Sequence, residues 1–245
     1  MATSQDHYDR LLGPIYTWML GEWPQALASA RAELEALQVP MSPGALAVDL
    51  GTGSGASAVA LAEQGCEVLA VDNCEGLLDE LDRRRGDLPI KTLCSDLPGF
   101  ASELARPAQL VLCLGDTLTH LESPERVAEL FAVVARTLAP GGQFLITLRD
   151  YTRPALQGTA RFIPVRSDAD RILTCFLEYG DDIVTVHDLL QLRQGDGWQL
   201  QVSSYPKLRL RPAWLCEVLQ DLGLQTELGL AGRGMALIRA TAAGA

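Results

Sequence analysis

Four aspartates and one glycine-rich turn carry the chemistry this chain could do. The run Leu46-Ala47-Val48-Asp49-Leu50-Gly51-Thr52-Gly53-Ser54-Gly55 joins a short apolar strand to a cluster of glycines, and a helix-like stretch, ASAVALAEQG, follows. Glycines let a ligand approach bare backbone, and a helix N-terminus points N–H groups and a dipole at it. The pattern also satisfies a dinucleotide-binding fingerprint with alanine as its last residue. Asp49 argues against that reading, because a carboxylate two residues before the first glycine repels a pyrophosphate. It suits a ligand with an ammonium or a sulfonium. Asp72 closes the next apolar run about twenty residues on, where a carboxylate takes both hydroxyls of a ribose. The same residue also reads as a cap for the helix beginning Asn73-Cys74-Glu75. Asp96, followed by Leu97, ends a third run and reads as a base-recognising pair or as a surface turn. Asp116 ends a fourth, with His120 just beyond it.

Strands alternating with helices must position these side chains. Segments 46–50, 66–71, 88–93, 109–114 and 143–148 are apolar runs that predict buried strands, with helical stretches between them. The clearest helix has Ser123 as N-cap, Pro124 at its first position, and Val127, Leu130, Phe131, Val134 and Leu138 as its buried stripe. This alternation predicts a parallel, doubly wound sheet with right-handed crossovers, which binds ligands beyond the strands' carboxyl ends. Residues 9–38 predict two helices, the second with Pro24 in its first turn and Leu27, Ala30, Leu34 and Leu37 on one stripe. After Asp150 the rhythm becomes period two. Segments 171–179 and 183–190 flank the turn Gly180-Asp181-Asp182, and 198–205 follows Gly195-Asp196-Gly197. They predict an antiparallel meander inserted as a lid. A helix from Pro212 and strands near 225–229 and 234–240 bring the main sheet to seven strands. The expected organisation is a single domain over 1–245: a helical lid at 1–44, a cofactor core at 45–150, an antiparallel β insert at 151–210, and a C-terminal helix and strands at 211–245.

VDLGTGSG resembles motif I of the class I S-adenosylmethionine-dependent methyltransferases. CLGDTLTHL, at 113–121, is similar to the fourth-strand motif of small-molecule N-methyltransferases like glycine N-methyltransferase, which reads close to CLGNSFAHL. LAPGG at 138–142 and LRDY at 148–151 continue the likeness. The resemblance implies an α/β, Rossmann-like seven-stranded fold with a helical lid and a β insert. It implies S-adenosyl-L-methionine as cofactor, S-adenosyl-L-homocysteine as product, and methyl transfer to a small-molecule acceptor, an amine nitrogen first. The cofactor residues it implies are Asp49, Gly51, Thr52, Gly53, Gly55, Asp72, Asn73, Asp96, Leu97, Leu114 and His120. An aromatic residue of the lid would cover the sulfonium, Tyr8 first and Trp18 second. Arg149 inherits the arginine that holds a substrate carboxylate, and Tyr205 offers a hydroxyl from the insert. Where the family has asparagine, this chain has Asp116, which accepts hydrogen bonds but donates none when ionised. The expectation is an acceptor that presents a cationic or hydrogen-bond-donating nitrogen to Asp116. An oxygen or carbon acceptor would need a base, and His120, Asp116 or Tyr8 could serve. His120 also reads as a packing residue.

The bulk properties exclude other classes. A net charge of −11 over 245 residues opposes a nucleic-acid substrate, and no NPPY-type sequence follows the fourth strand. The 48% apolar content supports a core. Six cysteines without a CxxC pair read as buried reduced thiols in a cytoplasmic protein. No leader, membrane span or metal-ligand spacing is expected. The oligomeric state stays open. Two rivals remain: a non-catalytic S-adenosylmethionine-binding protein and a nucleotide-dependent reductase.

Overall fold

The computed structural model describes residues 3–244. The chain runs α1 (Ser4–His7), helical turns over Tyr8–Leu12 and Gly13–Ile15, α2 (Tyr16–Met19), α3 (Trp23–Ala36), β1 (Leu46–Leu50), α4 (Ala56–Glu63), β2 (Glu67–Asp72), α5 (Glu75–Arg84), β3 (Ile90–Cys94), β4 (Ala108–Cys113), α6 (Pro124–Thr137) and β5 (Leu138–Leu148). There follow β6 (Phe162–Ser167), β7 (Arg171–Tyr179), β8 (Ile183–Gln194), β9 (Gly197–Leu208), α7 (Pro212–Asp221), β10 (Gln225–Leu230) and β11 (Ala236–Thr241).

Seven strands form the main sheet in the order β10-β11-β5-β4-β1-β2-β3. β1 to β5 are parallel, and β11 enters antiparallel between β5 and β10. Alternation along each strand sends side chains to opposite faces. Val48 and Leu50 join the core under α6 and α7, with Phe131, Phe144 and Leu219, while Ala47 packs with Leu34, Leu61 and Leu110 under α3 and α4. Both faces are therefore covered, as a parallel sheet requires. The order reverses direction between β1 and β4, so the loops after those strands diverge and leave a crevice at their carboxyl ends. Ser123 caps α6 with its side chain and Pro124 opens it, as the sequence predicts.

A second sheet, β6-β7-β8-β9, lies between β5 and α7 in the chain and is antiparallel throughout. The strand β6 is an addition to the expected meander. Its FIPVRS sequence hides it, with Pro164 and a register shift between Pro164 and Arg166 at a sheet edge. The N-terminal expectation of two helices also changes. Short α, π and 3₁₀ turns replace the first, because Gly13 and Pro14 interrupt it.

Candidate active site

The glycine turn takes left-handed conformations at Gly51, Gly53 and Gly55, with φ of +71°, +55° and +85°, and Thr117 and Leu81 close on the first and last of them. A Cβ on Gly53 would stand 2.8 Å from Cε1 of Tyr16. Asp49 lies buried beneath the turn and accepts a 2.6 Å bond from the Thr52 hydroxyl. Burial pushes its carboxyl up to about 6 despite that bond. Asp72 accepts from the backbone N–H groups of Gly53 at 2.8 Å and Cys74 at 2.9 Å, one on each oxygen. Burial raises its carboxyl as well. Each of its oxygens keeps a further lone pair for a hydroxyl donor. Next to it opens a cleft of about 410 Å³ whose wall includes Gln5, Tyr8, Asp9, Asn73, Cys74 and Cys94. A side-chain-free glycine turn beside an acidic, half-satisfied strand end and a nucleoside-sized cleft fits an adenosyl ligand.

The N-terminal segment crosses this cradle and fastens on both sides. Toward the core, Gln5 reaches the Asn73 carbonyl at 3.4 Å and the Thr17 hydroxyl donates to Glu80 at 2.6 Å. Toward the insert, His7 bonds Asp188 at 3.0 Å through Nε2 and Ser203 at 2.8 Å through Nδ1. Trp18 donates to Asp168 at 2.7 Å and packs with Leu173 and Leu190. Four rings meet beneath the segment. Tyr205 stacks on His7 at 4.1 Å and on His120 at 5.4 Å, while Tyr8 presents its ring edge-on to His120 at 5.6 Å. Burial, reinforced by the Lys207 ammonium, pushes His120 down to about 3. Its imidazole is therefore neutral, and its buried Nδ1 has no hydrogen-bond partner among the described residues.

Asp116 sits after β4 in a left-handed conformation, φ +79°, that aims its carboxylate at the insert. One oxygen accepts from Lys207 at 2.6 Å and from the Tyr151 hydroxyl at 2.9 Å, and the other from the Arg149 N–H at 2.9 Å. Burial opposes ionisation of both Asp116 and Lys207. Their mutual attraction overcomes it, holding the Asp116 carboxyl below its ordinary value and the Lys207 ammonium above its own.

The structure thus gathers Asp49, Gly51, Thr52, Gly53, Gly55, Asp72 and Asn73 around one turn, and Tyr8, Asp116, His120 and Tyr205 around one neighbouring cluster. It does not bring all the predicted residues there. Trp18 is bound between the N-terminal segment and the insert, and the ring over Gly53 is that of Tyr16. Asp96 is exposed and pairs with Arg126 at 2.9 Å, while Leu97 opens a 3₁₀ turn behind it. Leu114 packs into the core. Arg149, just past β5, is exposed on one side yet borders the Asp116 cluster, where burial is outweighed by Tyr151 and Asp116, which hold its guanidinium above its ordinary value. Asp116 is already paired within the chain: Lys207 stands at the carboxylate to which the sequence reading brings the acceptor's nitrogen. Lys207, His7 and Tyr16 are the residues that reading misses. The signal for Lys207 is its two-residue spacing from Tyr205 and Ser203 on one strand face.

Residues 47–142 match the model of a methyltransferase domain. A cypemycin N-terminal methyltransferase from Streptomyces sp is 31% identical over 135 residues, covering 54% of this chain and 53% of the relative. A glycine/sarcosine N-methyltransferase from Parasynechococcus marenigrum is 28% identical over 165 residues, 63% of this chain and 52% of its own. The chain therefore spans about half the length of these curated relatives. An amino pentose methyltransferase from Micromonospora echinaspora, involved in calicheamicin biosynthesis, shares the fold with a TM-score of 0.73 at 15% identity, over 93% of this chain and 95% of that one. Residues 47–142 thus carry a methyltransferase domain, and with its glycine turn, its acidic β2 end and its seven-stranded sheet the chain is similar to the class I S-adenosylmethionine-dependent methyltransferases.

Proposed function

We propose that the protein transfers a methyl group from S-adenosylmethionine to the amine nitrogen of a small-molecule acceptor. The observation that carries this reading is the neutral His120, with its unpaired Nδ1, packed beside Tyr8 in the ring cluster between the glycine cradle and the insert. When bound, the cofactor supplies a methyl carbon on a sulfonium that leaves without further activation. The chain holds the two reactants in line and excludes water. Asp72, the glycine turn and Asn73 would hold the adenosyl part, and the faces of Tyr8 and Tyr16 favour a cationic sulfur. An amine must arrive unprotonated to attack. His120 Nδ1 suits that task, because a neutral imidazole nitrogen accepts an N–H and so orients the nitrogen lone pair. Residues 3–20 act as a cover that keeps bulk water from the site. The three relatives named above act on a peptide N-terminus, on glycine or sarcosine, and on an amino pentose by their names, and each of these carries an amine.

The test is turnover with methyl-labelled S-adenosylmethionine against a panel of amino sugars, amino acids and small peptides, with matched hydroxy analogues. Label is expected on nitrogen, with S-adenosylhomocysteine formed in equal amount. Label on the hydroxy analogues alone would replace the amine reading with O-methylation. Tight cofactor binding without turnover on any of them would favour a non-catalytic binder.

A further inference from the structure

The acceptor side of the site contains a buried ion pair that the cofactor chemistry does not require. Lys207 reaches Asp116 from β9, and the alternation of that strand is what sends it there. Ser203, Tyr205 and Lys207 share the face that looks into the site, opposite Asp188, Val186 and Val184 of β8. Asp116 is 4% exposed and Lys207 8% exposed, so neither charge is shared with solvent. Lys207, Tyr151 and the Arg149 N–H all donate to the carboxylate, two to one oxygen and one to the other, and Lys207 gives it a full counter-charge. The unsatisfied group near it is of a different kind, a neutral imidazole nitrogen on His120, whose ring stacks on Tyr205 two residues before Lys207.

We propose that Lys207 sets the charge class of the acceptor: by occupying Asp116 from the insert side, it makes the site refuse an ammonium and admit a neutral amine that donates to His120. An ammonium entering this space meets a fixed like charge and a carboxylate whose charge Lys207 already neutralises, so its lost hydration is poorly compensated. A neutral amine meets an acceptor nitrogen with nothing to displace. This inference rests on the methyl-transfer reading for its purpose, but it concerns which charges the site binds, so binding measures it without turnover.

The probe is methylammonium chloride, titrated calorimetrically into protein saturated with S-adenosylhomocysteine, with potassium chloride as the ionic control. Wild type is expected to give no heat beyond the control. Lys207→Met frees Asp116 and vacates the space of the ammonium, so methylammonium should bind at least roughly tenfold tighter than to wild type, the scale of one charge-assisted hydrogen bond. The double variant Asp116→Asn/Lys207→Met carries neither charge and should lose that binding, which a merely structural lysine would not predict. Wild type binding methylammonium as well as Lys207→Met does, or a folded Lys207→Met that gains nothing, would overturn the proposal. Should Lys207→Met fail to fold, wild type decides through competition at neutral pH between aniline, which is uncharged there, and benzylamine, which is a cation. Aniline is expected to occupy the site and benzylamine to be excluded; the reverse order refutes the role of Lys207. Absence of S-adenosylhomocysteine formation on every amine would count against methyl transfer and leave these binding results standing.

Discussion

Asp72 and Asp116 are both aspartates at the carboxyl ends of strands that flank β1 in one sheet, yet they are built in opposite ways. Asp72 is held by two backbone N–H groups, from Gly53 and Cys74, and pairs with no cation among the described residues. Burial raises its carboxyl, and the two residues after it, Asn73 and Cys74, line a cleft. Asp116 is held by a lysine 91 residues away, by a tyrosine hydroxyl and by one N–H, and its carboxyl is held down. The first is a prepared but incomplete site. The second has its counter-charge within the chain. A carboxylate in a crevice is thus a ligand site only when its donors have been left for the ligand to supply.

The comparison breaks most decisively at the glycine turn. Gly53→Val should abolish S-adenosylmethionine binding, since φ of +55° is strained for a β-branched residue and its side chain would meet Tyr16. Calorimetry on a variant whose circular dichroism matches wild type decides it; normal affinity would remove the turn from the site. Lys207→Met should then cost about 3–5 kcal/mol of folding stability, because it strands Asp116 as a buried unpaired charge. Denaturant unfolding measures that, and a loss within experimental error of zero would mean that water already reaches the pair.

Asp49 sharpens the contrast through pH. Its carboxyl is raised from 3.8 to about 6 in the fold, so the folded state holds the proton more tightly than the unfolded chain. Stability from this group is complete below about pH 4 and declines as pH rises through about 6, by about 3 kcal/mol in all. Asp49→Asn should flatten that decline in the thermal midpoint of ligand-free protein. An unchanged slope would place the titration elsewhere. The smallest effect is expected for Asp72→Ala, which removes charge-assisted bonds worth about 1.5–3 kcal/mol and weakens S-adenosylmethionine binding roughly ten- to a hundredfold. Unchanged affinity would leave Asp72 as a turn residue only.

What the sequence made legible follows the same division. β1, β2 and β4 are apolar runs ended by glycine or aspartate, and the chemistry of the turn after β1 lies within a few residues of its strand, so pattern and motif locate them together. Seven strands, the α6 cap and the β7–β8 hairpin are readable for the same local reason. β6 is not, because an edge strand with a proline and a bulge carries no alternation. Lys207 is not, because a lysine in a half-exposed strand reads as solvated until its partner is known. Its partner, Asp116, lies on another sheet. Tyr16 does not stand out from Tyr8 and Trp18, because one aromatic in a helical segment cannot be told from another until the turns at Gly13 and Pro14 fix their directions.

The fastening of His7 has a consequence for how the molecule comes into being. Its hydrogen-bond partners, Asp188 and Ser203, lie 181 and 196 residues further along the chain. A ribosome adding about 5–20 residues per second needs roughly 10–40 seconds to deliver them. Throughout that interval the sheet from β1 to β5 can assemble from contacts between near neighbours, with its glycine cradle already shaped. The segment that covers the cradle has no complete resting place until β9 emerges. Contacts of such separation close late and slowly. The nascent protein therefore passes through a stage with its adenosyl cleft uncovered, and a molecule of cofactor captured at that stage would be enclosed as the last strands arrive.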